Sequence, residues 1–101
     1  MRESLIEAHG LRLLTAAGQL FLKFTSPARR SVPDRIRLAP IPPEHRELVA
    51  RYVSFVELKA TGKKPTAAQE REHARLRALG YDVRVIDSKA GVNDYVNEVT
   101  T

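Results

Sequence analysis

At 101 residues, 43% of them hydrophobic, the chain has the length and apolar content for one core, and a second independent core would be marginal. With a mean hydropathy of −0.33, no stretch approaches the ~20 apolar residues of a membrane span, and the absence of cysteine excludes disulfides, thiolate catalysis and cysteine-ligated zinc. Seventeen Lys and Arg against twelve Asp and Glu give a net charge of +5 and a pI near 10.0, which makes an anionic partner, nucleic acid first, the expectation.

The opening residues MRESLIEAHG carry Glu3 and Glu7 and lack the apolar run and cleavage site of a secretory signal, so they read as mature cytoplasmic sequence. From Glu3 to about Ala17, Leu5, Ile6, Leu11, Leu13, Leu14 and Ala17 recur at roughly helical spacing, and Gly18 marks a stop. QLFLKFT, residues 19–25, alternates as a strand and runs into the basic, proline-broken loop SPARRS.

Pro33 sets an extended start for a second strand, DRIRLA. PIPPEHRELVAR is a proline-rich connection with room for a short helical turn over Glu44 to Ala50. YVSFVELKA returns to strand chemistry, with Phe55, Glu57 and Lys59 on one face, and Val56 and Leu58 on the other, expected to pack under a helix. After TGKKP, Thr66 with Gln69 three residues later forms a capping-box pattern opening a helix that runs to Leu79 before Gly80. YDVRVID is a fourth strand, and SKAGVNDYVNEV a terminal helix begun by Ser88. No internal repeat or low-complexity segment is present.

Side chains alternate along a strand, so Glu57 and Lys59 share a face. Alone, that pair is most simply an exposed charge pair on a sheet. Two further features favour chemistry: Asp34 heads the preceding strand, and Arg29, Arg30, Arg35, Arg37, Lys63 and Lys64 lie on loops and strand positions near the same end. Two carboxylates beside a lysine in a basic surround suit magnesium-dependent phosphodiester hydrolysis. Magnesium takes oxygen ligands and is typically held by one or two carboxylates plus substrate phosphate. Lys59 would offset charge growing on phosphorus, and the basic loops would grip the backbone with little base reading. His9, His45 and His73 share no metal-ligand spacing and read as surface or helix-flank residues. The charges of EREHARLR read as a solvated face with ion pairs at helical spacing.

SVPDRIRL, FVELKATGKKPTAAQ and LRALGYDVRVID together resemble the VRR-NUC family of the PD-(D/E)XK nuclease superfamily, over nearly the whole chain. The resemblance implies one α/β domain, residues 1–101, with a restriction-endonuclease-like core in the order α-β-β-β-α-β-α and a mixed sheet flanked by helices. It implies that Asp34, Glu57 and the carbonyl of Leu58 bind Mg2+ or Mn2+, that Lys59 is the catalytic lysine, and that Gln69 helps fix lysine, water or substrate. A glutamate on the first helix belongs near the metal, Glu3 favoured over Glu7, and Lys23 contacts phosphate alongside Arg29, Arg30, Arg35, Lys63 and Lys64. Ser31 stands where glycine is common in the family, and the connection after the second strand is longer than usual.

The expected activity is a metal-dependent, structure-selective DNA endonuclease resembling phage Holliday-junction resolvases, acting as a homodimer on four-way junctions in the cytoplasm of a bacterium or a phage-infected cell. The alternatives are a less selective nicking or restriction-like DNase, or a DNA-binding module without catalysis.

Overall fold

A computed structural model describes all residues, 1–101. The elements are α1 (Glu3–Ala16), β1 (Leu20–Lys23), β2 (Arg35–Leu38), α2 (Pro43–Ala50), β3 (Phe55–Leu58), α3 (Ala67–Ala78), β4 (Val83–Ile86) and α4 (Lys89–Thr100). They divide into two compact units, Met1–Pro40 and Ile41–Thr101. The architecture is mixed α/β with small sheets flanked by helices. No helix is long and apolar enough to cross a membrane.

In the first unit, β1 and β2 pair antiparallel, with Leu20 opposite Leu38 and Lys23 opposite Arg35. The Phe24 amide donates to the Asp34 carbonyl at 2.9 Å, extending the pairing past the end of β1. The face of α1 turned toward β1 is narrower than the apolar pattern suggests. Glu7, Gly10 and Leu14, spaced three and four apart, are its half-covered residues, whereas Leu5, Ile6, Leu11 and Leu13 are exposed. Gly10 is what admits the Phe21 ring: a Cβ there would lie 3.3 Å from the ring edge. Helix α1 ends in a Schellman turn. The Gly18 amide donates to the Thr15 carbonyl and the Gln19 amide to that of Leu14, both at 3.0 Å, with Gly18 at φ 76°.

The second unit is built on a β-α-β motif. Strands β3 and β4 are parallel, Phe55 opposite Val83 through Leu58 opposite Ile86, and α3 is the crossover that parallel pairing requires. The Phe55 amide to the Asp82 carbonyl and the Lys59 amide to the Ile86 carbonyl, 2.9 and 3.0 Å, close the ladder at its two ends. Ile41, His73, Leu76, Val83 and Ile86 form its buried set. Phe55 meets Tyr81 edge-to-face with centroids 5.9 Å apart.

Arg84 anchors α4 to β4. Its guanidinium donates to Glu98 at 2.7 and 3.0 Å and to Asp82 at 2.8 and 3.0 Å, and lies 5.4 Å from the Tyr95 ring centre. The hydrogen bonds to Glu98, then to Asp82, raise its pKa above the ordinary arginine value, so it remains charged.

Three expectations change. The proline-rich connection contains a complete helix, α2, because Pro42 and Pro43 occupy its N-cap and first position, where a missing amide costs nothing. The order is therefore α-β-β-α-β-α-β-α, with one two-stranded ladder in each unit. Third, the expected cover over Val56 and Leu58 is missing: Leu58 is 66% exposed, while Glu57 on the opposite face is half-buried. The cause is that α3 reaches the Glu57 face, and α4 is tied to β4 through Arg84.

Helix α3 also stops in a Schellman turn, with Gly80 at φ 101°, a backbone region that costs an L-residue roughly 1–2 kcal/mol. A Cβ at Gly80 would in addition fall 2.5 Å from Arg46 Nε. Gly80→Ala should therefore lower unfolding free energy by about 1–2 kcal/mol, read from a urea titration.

Candidate active site

Glu57 is the penultimate residue of β3, and its carboxylate meets three side chains. Lys59 Nζ lies 3.7 Å from Oε2. Gln69 Nε2 donates to the same oxygen at 3.4 Å. His73 Nε2 lies 3.4 Å from Oε1. Lys59, two residues on, shares the face of Glu57 as strand alternation requires, and its side chain is drawn in to 18% exposure, against 26% for Glu57. In such a partly dehydrated setting, charges act on one another more strongly than at an open surface.

The start of α3 sets the position of Gln69. Thr66 accepts the Gln69 amide at 3.1 Å, and Gln69 Oε1 accepts the Thr66 amide at 3.0 Å, so both halves of the capping box are made. With its oxygen engaged by the helix terminus, the Gln69 amide nitrogen is left to face Glu57, which fixes the orientation of the amide group. The loop ahead of α3 is pinned to the residue after β4. Thr61 Oγ1 donates to the Asp87 carbonyl at 3.0 Å, and the Gly62 amide donates to the Asp87 carboxylate at 3.1 Å. Lys63 and Lys64 stand exposed on this loop, and the side chain of Leu58 points largely to solvent.

His73 belongs to this cluster, although its sequence context reads as a helix flank. It is 8% exposed and sits one turn beyond Gln69 on the same face of α3. The signal in the sequence is the four-residue spacing from Gln69, which puts both side chains over one strand once Gln69 is assigned to the site.

The other expected residues lie in the first unit, around a cleft of about 580 Å3. Its walls include Glu3, Glu7, Lys23, Arg29, Arg30 and Asp34. Asp34 is exposed, one residue before β2. Glu7 and Glu3, one turn apart on α1, differ in their commitments. Glu7 accepts from Arg35 Nε at 2.6 Å, whereas Glu3 makes no ion pair. Arg35, expected to grip nucleic acid, is held by Glu7 and by the Phe21 carbonyl at 2.8 Å, with 15% side-chain exposure. Lys23 and Arg35 are directly opposed in the ladder, so like charges would repel there without an anion. Glu7 supplies that anion. The hydrogen bond from Arg35, followed by the charges of Arg35 and Lys23, holds the Glu7 carboxyl below its ordinary value against the effect of burial.

Ser31, at the rim of this cleft, has φ 65°, the left-handed conformation that glycine adopts without strain. The loop reaches the required turn with a serine in the strained region. Within neither unit do three His, Cys, Asp or Glu side chains gather as a ready metal cage. The donors that are present, Asp34 in the first unit and Glu57 in the second, are hard oxygen ligands of the kind magnesium takes together with water and phosphate.

The chain is 45% identical over 89 residues, 88% of its own length and 86% of the relative's, to a protein named "Putative nuclease p44" from Acyrthosiphon pisum secondary endosymbiont phage 1. No family model matches the chain, and no solved structure does.

Two measurements follow from the Ser31 backbone and from the arginine–glutamate pairs of the two units. Ser31→Gly should raise stability by about 0.5–1 kcal/mol in a urea titration, the relief of left-handed strain exceeding the entropy glycine adds to the unfolded chain. Glu7 and Glu98, each held low by an arginine, stabilise the fold fully above their unfolded value near 4.5, and that contribution disappears as pH falls through their lower folded values. The melting temperature should therefore decline as pH drops below 4.5, and Glu7→Gln should flatten that decline while lowering the melting temperature at neutral pH.

Proposed function

Since the chain belongs to the family of this phage nuclease, we propose that residues 1–101 act as one nuclease domain with a restriction-endonuclease-like core, hydrolysing DNA phosphodiester bonds with Mg2+ or Mn2+. The observation that carries the chemical part is the Glu57 carboxylate, half-buried and faced by Lys59 and Gln69 at 3.7 and 3.4 Å. A charge pair of purely structural value gains little at a strand surface. Here an acid, an ammonium and an oriented amide are held together by a helix terminus, which is costly unless the group has work to do.

In this reading Glu57 and the Leu58 carbonyl would hold a divalent ion, which would supply charge stabilisation at phosphorus and a more acidic water, and Asp34 carries the carboxylate ligand role that the family resemblance gives it. Lys59 places its ammonium beside the attacked phosphate, where it counters the negative charge that grows as the new P–O bond forms and the ester P–O bond breaks. Gln69 restrains Glu57 and, through it, the position of Lys59. Glu3, which has no ion-pair partner, is the helix-one acid available to substrate water or metal, because Glu7 is engaged with Arg35. Lys23, Arg29, Arg30, Lys63 and Lys64 contact phosphates, giving strongly salt-dependent, sequence-tolerant binding. Arg35 acts indirectly, by holding Glu7.

For substrate we propose branched DNA, the four-way junction first, cut by a homodimer whose twofold axis presents two sites to two strands. What supports this is that the exposed lysines and arginines reach phosphates rather than base edges, and the shape of the DNA is the feature a symmetric assembly can read.

Incubating the chain with labelled four-way junction and linear duplex in Mg2+ should give metal-dependent cleavage of the junction, abolished by chelation. Lys59→Ala should reduce the rate by about 100-fold or more while leaving junction binding in a gel shift nearly intact. Binding with no metal-dependent cleavage would leave a DNA-binding module, and equal cutting of linear duplex would leave an unselective DNase.

A further inference from the structure

We propose that His73 is a positioning residue that fixes the rotation of the Glu57 carboxylate and so sets the affinity of this site for a divalent cation. The inference rests on the nuclease reading for its purpose, but its geometry stands independently of DNA. The two oxygens of Glu57 are addressed separately from one face of α3: Gln69 Nε2 is 3.4 Å from Oε2, and His73 Nε2, one turn later, is 3.4 Å from Oε1. A single donor leaves a carboxylate free to turn about its terminal torsion, which is broad and roughly two-fold. A donor on one oxygen and a polar ring nitrogen facing the other, from side chains mounted on the same rigid helix, limit that rotation.

His73 is suited to this task by burial. At 8% exposure it is the one polar residue in the buried set, among Ile41, Leu76, Val83 and Ile86, and Glu57 is the charged group its ring nitrogen faces. The ring nitrogen Nε2 faces Oε1 at 3.4 Å as a close polar contact. The contact is longer than a fully formed hydrogen bond, as suits a brace that yields when the carboxylate moves onto an ion. Partners that orient a ligating carboxylate typically govern metal affinity by about 10- to 100-fold.

The test measures Mn2+ binding to the intact chain, without DNA, by the loss of the free-ion signal in electron paramagnetic resonance. His73→Leu should weaken Mn2+ binding by about 10- to 100-fold. His73→Gln, whose amide nitrogen lies near the Nε2 position, should bind within a few-fold of wild type, and His73→Asn, which is too short to reach, should resemble the leucine variant. A folded His73→Leu chain with wild-type Mn2+ affinity would overturn the assignment. Should the leucine variant fail to fold, the amide pair decides: glutamine binding no better than asparagine would also overturn it. A wild-type chain that binds Mn2+ yet cleaves no DNA would defeat the nuclease reading alone, whereas one that binds no Mn2+ would defeat the brace.

Discussion

The constraint on which the candidate site depends is the placement of one negatively charged group, Glu57, where water covers only part of it. An ionised carboxylate in that position must be met by donors or cations, or it is protonated or expelled. The chain meets this demand from two sides. Lys59 comes from the same strand by simple alternation, and Gln69 and His73 come from the helix that the β-α-β crossover lays over that face. The parallel pairing of β3 with β4, the helix that it obliges, and the capping box that starts the helix form a single chain of consequences ending at this carboxylate.

The first unit solves a different electrostatic problem by related means. Its ladder sets Lys23 against Arg35, and Glu7 resolves the conflict from α1. This removes Glu7 and Arg35 from the pool of groups free to meet a ligand and leaves Glu3, Lys23, Arg29, Arg30 and Asp34 around the cleft. Of two acids one turn apart, the one nearer the sheet is used in building and the one nearer the helix start stays available.

Much of this was legible in the residues. Thr66 with Gln69, Gly18, Gly80 and Ser88 mark helix ends, and each does so through local hydrogen bonds that depend on few neighbours. The strand cores around Leu20, Ile36, Phe55 and Val83 follow from alternation in the same way. What escaped depends on tertiary placement. The α2 segment reads as a connection with room for no more than a short helical turn over Glu44 to Ala50, because its prolines dominate the composition, although at Pro42 and Pro43 they begin a full helix. Burial of β3 is inverted relative to its apolar pattern, because periodicity identifies the two faces of a strand but not which face a helix covers. His73 was indistinguishable from His9 and His45 by spacing to other histidines, since its informative neighbour is a glutamine four residues earlier.

Gln69 shows how a single side chain can answer to two masters. A capping box is satisfied equally by glutamate or glutamine, because the helix terminus asks only for an acceptor oxygen. The carboxylate across the groove asks for a donor, and it would be repelled by a second acid. Only the amide, with an acceptor at one end and a donor at the other, meets both demands. The choice between two residues that helix physics treats as interchangeable is thus made by an acid twelve positions away, and at position 69 the code for folding and the code for chemistry can be told apart.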